Sequence, residues 1–180
     1  KDSNPFTPAV NLYFGLEAAL DMMQNEGLEA IFARHARHRA AAQAGMKAIG
    51  LPLFAAEGCG SPAITAVAPE GIDAEKLRKE VKSRFDILLA GGQDHLKGQV
   101  FRIGHLGYVC DRDVLTAVSA IEATLQALGL HKGSMGAGVA AAAAARQPRW
   151  ARSMNSPRRA ESMASGRTRL PCSTQPRAHH

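Results

Sequence analysis

The stretch Phe85–Gly107, FDILLAGGQDHLKGQVFRIGHLG, decides the fold. It contains two short apolar runs, Asp86–Ala90 (DILLA) and Gln99–Gly104 (QVFRIG). Short apolar runs bounded by turn-forming residues read as strands. Gly91-Gly92 closes the first run. Glycine serves there because it tolerates positive φ and close backbone approach. On either side of this pair of strands the apolar period lengthens to that of helices, so strands and helices share one unit.

Downstream, Asp111 is read as the cap of a helix whose inner face carries Leu115, Val118, Leu125 and Leu128. Upstream, Asp73 opens a helix with Leu77 and Val81 inside. Lys76, not an acid, stands at the third helical position, so no capping box is expected. Before it, Leu51–Ala55 and Ile64–Ala68 read as two further strands around the loop Glu57–Pro62. Two helices precede these, over about 9–24 and about 28–49, broken at Gly27 and stopped at Gly50. In the second, Leu28, Ile31, Phe32, Met46 and Ile49 are assigned inward and His35-Ala36-Arg37-His38-Arg39 to a solvated charged face. Met22 and Met23 of the first are assigned to the core or a dimer contact. The order, two helices and then β-β-α-β-β-α, gives an α+β fold, a small sheet covered by helices.

Composition narrows the function classes. With 180 residues and 46% hydrophobic content the chain can bury a core. No run is long and apolar enough to span a bilayer, and no signal peptide is visible behind Lys1. The absence of Met at position 1 leads us to expect that the natural start lies upstream. Cys59, Cys110 and Cys172 form no CxxC pair, so neither a zinc site nor a disulfide framework is expected; the thiols read as buried or incidental in a reducing compartment. The net charge of +6 is unevenly spread. Residues 1–130 hold 13 Lys+Arg against 15 Asp+Glu, whereas residues 131–180 hold 9 against 1. A near-neutral body argues against a nucleic-acid surface. Residues 9–129 are expected to be the ordered body, and 146–180, rich in Arg, Ser and Pro, to be disordered.

The segments SNPFTPAVNLYFGLEAALDMM, EGLEAIFARH, FDILLAGGQDHLKGQVFRIGHLG and CDRDVLTAVSAIEATLQALG, which together cover nearly all of residues 2–130, resemble one known family in its own order. This is the C-terminal domain of the alanine–glyoxylate and serine–glyoxylate aminotransferases, pyridoxal-phosphate (PLP) enzymes of fold type I. Some cyanobacterial relatives carry the name soluble hydrogenase subunit. The resemblance implies a small C-terminal domain with its inter-domain helix at 1–130, and a low-complexity, disordered basic tail at 131–180. GAGVAAAAA within that tail is similar to an extension seen in some relatives. In the family a large domain, preceding the residues that match here, holds the cofactor lysine. None of Lys1, Lys47, Lys76, Lys79, Lys82, Lys97 and Lys132 falls in that motif. The resemblance therefore implies an enzyme that moves an amino group from alanine or serine to glyoxylate on PLP, working as a homodimer when full length. It also implies that these residues alone are inactive.

Two residues carry the expected site. Arg102 sits between Phe101 and Ile103 in a strand, and an arginine there needs an anionic partner if it is buried. That partner is either a protein carboxylate in a structural ion pair or the α-carboxylate of a substrate, which the planar guanidinium binds bidentately. The resemblance assigns the second role. Thr7, before Pro8, reads by itself as a turn or N-cap residue; the resemblance gives its hydroxyl to the cofactor phosphate of the other subunit. Asn4 stands where some relatives have a tyrosine for the same phosphate. His35 and His38 lack a third metal ligand, and His95 and His105, near the site loop and the arginine strand, read first as ordinary polar residues and second as weak substrate-gate residues. Gly136–Ala140 lacks the preceding strand and spacing of a phosphate loop.

The expected partners are therefore small amino and 2-oxo acids, with no membrane and no nucleic acid. The compartment is expected to be intracellular, either cytoplasmic or organellar; the C-terminal Arg-Ala-His-His is no SKL-type peroxisomal address. The alternative is a non-catalytic domain whose basic tail binds anionic partners.

Overall fold

The computed structural model describes residues 6–145. Its elements are α1 (Val10–Glu26), α2 (Leu28–Ala48), β1 (Ile64–Val67), α3 (Ala74–Phe85), β2 (Ala90–Gly91), β3 (Phe101–Gly104), α4 (Asp111–Ala127) and α5 (Ala137–Ala144). A single 3-10 turn, Asp94–Leu96, lies between β2 and β3. The strands form one antiparallel sheet in the order β1-β3-β2. The expected α+β architecture, a small sheet under helices, is the observed one.

The core joins one sheet face to α2, α3 and α4. Thr65, Val67, Phe101 and Ile103 point inward from the strands and are buried. Met46, Ile49, Leu77, Val81, Val118, Ile121 and Leu125 meet them from the helices and the α2 end. Because side chains alternate along a strand, Ile64, Ala66, Arg102 and Gly104 belong to the opposite face.

Local chemistry sets the element ends. α2 ends in a Schellman turn: Gly50 takes φ +76, its N–H reaches the Lys47 carbonyl, and the Leu51 N–H reaches Met46. Asp73 caps α3, its Oδ1 accepting from the Glu75 and Lys76 N–H groups at 2.8 and 3.2 Å. Asp111 does not cap α4. The cap is Cys110, whose N–H donates to the Asp113 carboxylate at 2.9 Å. Asp111 is drawn instead to α2, with Arg37 Nε and His38 Nε2 each 3.0 Å from its Oδ1.

Two expected strands are shorter than their apolar runs. Leu51–Ala55 touches β1 through one bridge, Leu53 to Val67, because Pro52 has no N–H to extend the ladder. Asp86–Ala90 yields pairing only at Ala90, since α3 runs through Phe85 and Asp86 turns it off in the left-handed region at φ 55, ψ 27.

Two other expectations are corrected. His35–Arg39 is not a solvated face, for Ala36 and His38 are each 1% exposed. Leu28 and Phe32, assigned inward, are over half exposed; of the two assignments for Met22 and Met23, core or dimer contact, the first is excluded by their exposure. The inner stripe of α2 is Ile31, His38, Ala42, Gly45 and Met46. Of the buried and incidental alternatives for the thiols, Cys59 and Cys110 take the second, being exposed, while Cys172 lies outside the described residues.

The ordered body also continues past residue 130. α5 packs on α2 and α4 where Gly45 and Gly138 let the backbones approach: a Cβ on Gly138 would meet Ile49 Cγ2 at 2.8 Å and Val118 Cγ1 at 3.1 Å. An alanine-rich helix of this length is unstable alone but gains from packing. Residues 146–180, with their expected disorder and basic charge, lie outside the described residues.

Candidate active-site residues

Arg102 stands in the middle strand, opposite Ala66 of β1 and Ala90 of β2. Directly opposite residues share a face, so two short side chains flank the guanidinium stem. The Nε–H donates to the Gly91 carbonyl at 2.9 Å. Among the described residues the Nη groups make no hydrogen bond, and no carboxylate lies within ion-pair distance of the guanidinium. Four of the five N–H donors of the group therefore stay available for an outside anion.

The Gly91 carbonyl belongs to an edge strand braced from beneath. Arg78 of α3 donates Nε–H to the Leu89 carbonyl at 2.7 Å, and its Nη1 reaches both Glu75 oxygens at 2.8 and 2.7 Å. That pair fills the place of a side chain at position 91. Gly92 is pinned for another reason: a Cβ there would sit 2.0 Å from the Leu96 carbonyl oxygen.

Beyond β3 the chain is anchored by two groups that sequence reasoning missed. His105 is fully buried, its Nε2 2.9 Å from Thr65 Oγ1, and its N–H bonds to the Ala63 carbonyl. Burial, aided by the positive surroundings of His38, His35 and Arg39, pushes its pKa down to about 4. Burial likewise lowers His38, although Asp111 works against it. Arg34 of α2 clasps Glu26 through Nε and Nη2 at 2.6 and 2.8 Å, while Nη1 donates to the carbonyls of Gly107 and Val109 at 2.7 and 3.1 Å. The Arg34 bond holds the Glu26 carboxyl below its ordinary pKa. The signal for the buried His38 was present in the spacing of Ile31, His35, His38, Ala42, Gly45 and Ile49, which alternates by three and four along one helical face.

Thr7 is exposed and makes no hydrogen bond among the described residues. It does not cap α1, whose cap position is Ala9 without a side-chain bond. Asn4 lies outside the described residues. His95, in the 3-10 turn, is exposed. An open groove lined by Met22, Glu26, Arg34, Tyr108, Cys110 and Arg112 includes neither Thr7 nor Arg102. Lys47, Lys76, Lys79, Lys82, Lys97 and Lys132 are all exposed. For PLP, the described residues thus offer a hydroxyl suited to a phosphate oxygen and a guanidinium suited to a substrate carboxylate, but no buried amine.

The small antiparallel sheet under helices matches the C-terminal domains of fold-type-I PLP aminotransferases. Over the stretch it shares with them, the chain is homologous to serine– and alanine–glyoxylate-type aminotransferases and to cyanobacterial soluble hydrogenase subunits. It is 66% identical over 142 residues to the "Soluble hydrogenase, small subunit" of Synechococcus sp. (strain PCC 6716), covering 79% of this chain and 37% of that protein. It is 40% identical over 140 residues to the serine–glyoxylate aminotransferase of Arabidopsis thaliana, covering 77% of this chain and 35% of that one. The solved pyridoxamine–pyruvate aminotransferase of Mesorhizobium loti superposes with TM-score 0.74 at 36% identity, over 81% of this chain and 38% of that one. The ureidoglycine–glyoxylate aminotransferase of Bacillus subtilis gives 0.71 at 36% identity, over 77% and 36%. The chain therefore spans a little over a third of the length of the curated relatives it matches. No family model matches it. Among the described residues no helix is long and apolar enough to cross a membrane.

Proposed function

We propose that this domain serves a PLP-dependent aminotransferase that passes an amino group from alanine or serine to glyoxylate. One observation carries the reading: the Arg102 guanidinium stands on the open sheet face with its Nη groups uncommitted among the described residues. Arginine's fork matches a carboxylate, and amino acid and oxo acid share that carboxylate. One clamp can therefore orient donor and acceptor in turn. Thr7, exposed and without a hydrogen bond among the described residues, donates its hydroxyl to the cofactor phosphate of a second subunit in a homodimer. The alanines beside Arg102 leave room for a small substrate body. PLP, when bound, supplies the electron sink and the nitrogen carrier.

The test uses an enzyme that joins this domain to the large cofactor-binding domain. Arg102→Ala removes a charge-assisted contact worth roughly 1.5–3 kcal/mol, so kcat/KM falls about ten- to 150-fold for both alanine and glyoxylate. The PLP absorbance stays normal, because Arg102 is not a cofactor ligand. Arg102→Lys restores the rate only in part, keeping charge without the fork. Unchanged kinetics in Arg102→Ala would return Arg102 to a purely structural role.

A further inference from the structure

We propose that Glu75, Arg78 and Gly91 form a frame that aims the Arg102 guanidinium, making them positioning residues for carboxylate capture. The proposal rests on the reading of Arg102 as the carboxylate clamp. An arginine side chain has four rotatable bonds, and its fork is useful only when it is held in one direction. Here the Nε–H is spent on the Gly91 carbonyl at 2.9 Å, which leaves the end-on Nη1/Nη2 pair as the bidentate face.

The carbonyl that does this needs a fixed position of its own. β2 is a two-residue edge strand, paired with β3 on one side only, and such a strand has little ladder to hold it. The support comes from α3. Arg78 Nε–H holds the Leu89 carbonyl, and Arg78 is itself held by both oxygens of Glu75 one helical turn back. Arg78 and Glu75 are each about a quarter exposed, so the pair is partly shielded from solvent. Glycine at 91 is what lets it lie there: a Cβ would stand 2.7 Å from Glu75 Oε1 and 3.0 Å from Arg78 Nη1. A methyl at 91 is relieved most easily by swinging the pair outward, which breaks the Leu89 bond and frees the carbonyl that aims Arg102. A core ion pair with no further task would not need to touch the strand whose carbonyl holds Arg102.

The experiment follows the Arg102 Nε–H resonance in the 180-residue chain labelled with nitrogen-15 arginine, assigned by its loss in Arg102→Lys. In the unsubstituted protein this proton exchanges with water more slowly than a solvated arginine Nε–H. In Gly91→Ala and in Arg78→Gln it exchanges about tenfold faster, as expected for loss of one hydrogen bond, while the slow amides of α2 and α4 keep their protection. Arg78→Lys does not restore the protection, because ammonium cannot serve the Leu89 carbonyl and the Glu75 carboxylate with a planar fork. Should either variant fail to fold, Glu75→Gln, which leaves the apolar core untouched, carries the same readout. Exchange identical in the unsubstituted chain and in every folded variant overturns the frame. A titration with glyoxylate separates this failure from that of the underlying reading. A saturable shift of the Arg102 side-chain signals, weakened in the variants, supports both. No saturable shift in the unsubstituted chain overturns the clamp reading, and the frame then stands or falls on exchange alone. Equal glyoxylate affinity in the unsubstituted chain and in variants whose exchange has risen overturns the aiming role.

Discussion

At the scale of single residues, the buried imidazoles give the domain a pH dependence. His105 is fully buried, bonded through Nε2 to Thr65, and its pKa is lowered to about 4 by burial and by neighbouring His38, His35 and Arg39. An unfolded chain protonates histidine near ~6.5. Between these values the unfolded state binds more protons, so the His105 contribution is complete above ~6.5 and is lost as pH falls toward about 4. His38 adds to the loss in the same direction. His105→Gln, which can present a nitrogen near the Nε2 position to Thr65, is expected to flatten the dependence of Tm on pH in that window. Thermal melts from pH 7.5 to 4.5 check this, and equal slopes in the two proteins would refute it. Arg102 belongs to the same scale. Its place in a strand was legible from Phe101 and Ile103, but its freedom from a protein carboxylate was not. That depends on which side chains β1 and β2 set opposite it, and these are alanines.

At the scale of elements, α5 is the test of packing against propensity. Replacing a helical glycine by alanine ordinarily gains about 1 kcal/mol of helix propensity. At Gly138 the new methyl would meet Ile49 at 2.8 Å, Val118 at 3.1 Å and Glu122 Oε2 at 3.3 Å. Overpacking of that kind costs about 1–3 kcal/mol, so Gly138→Ala is expected to lower stability despite the better propensity. Chemical denaturation reads the sign directly. A second substitution probes the polar contact under the same helix. Glu122, 1% exposed on α4, accepts the Gly138 N–H at 3.3 Å, and His131 lies 3.8 Å from the same carboxyl oxygen. Glu122→Ala leaves that N–H unsatisfied and a void beside it, and is expected to destabilise by about 1–3 kcal/mol and to expose α5 to proteolysis. Unchanged stability and unchanged cleavage would show the contact to be idle.

At the scale of the whole molecule, α1 has no buried residue. Leu12, Tyr13, Phe14, Leu16 and Leu20 are between 45% and 73% exposed. Apolar surface gathered in this way is suited to burial against further protein surface. In keeping with the proposed homodimer, the chain is expected to self-associate in sedimentation experiments. The double substitution Leu12→Lys, Leu16→Lys should shift it toward monomer without changing the melt of the α2–α4 core; a monomeric unsubstituted chain at high concentration would be the contrary result. These 180 residues by themselves are also expected to take no specific pyridoxal label on borohydride reduction and to turn over neither alanine nor glyoxylate. A single labelled lysine together with turnover would show that it carries its own cofactor site.

The order of helices and strands, the α+β class and the kinship with the aminotransferases could all be read from the sequence. They depend on local periodicity and on contiguous segments such as FRIGHLG and CDRDVLTAV, which the chain carries in one dimension. Element lengths, caps and the true inner face of α2 were decided by tertiary structure. Asp111 left its capping role because Arg37 and His38 offered a better partner, and His38 went inward because α2 needed that face against the rest of the body. The apolar run at 86–90 became mostly connection because α3 kept Phe85 and turned at Asp86. An alanine-rich segment that looks featureless became a packed helix because Gly45 and Gly138 allow backbones to touch. Each of these outcomes is a competition between groups distant in the chain, and spacing along one sequence carries no record of which distant partner prevails.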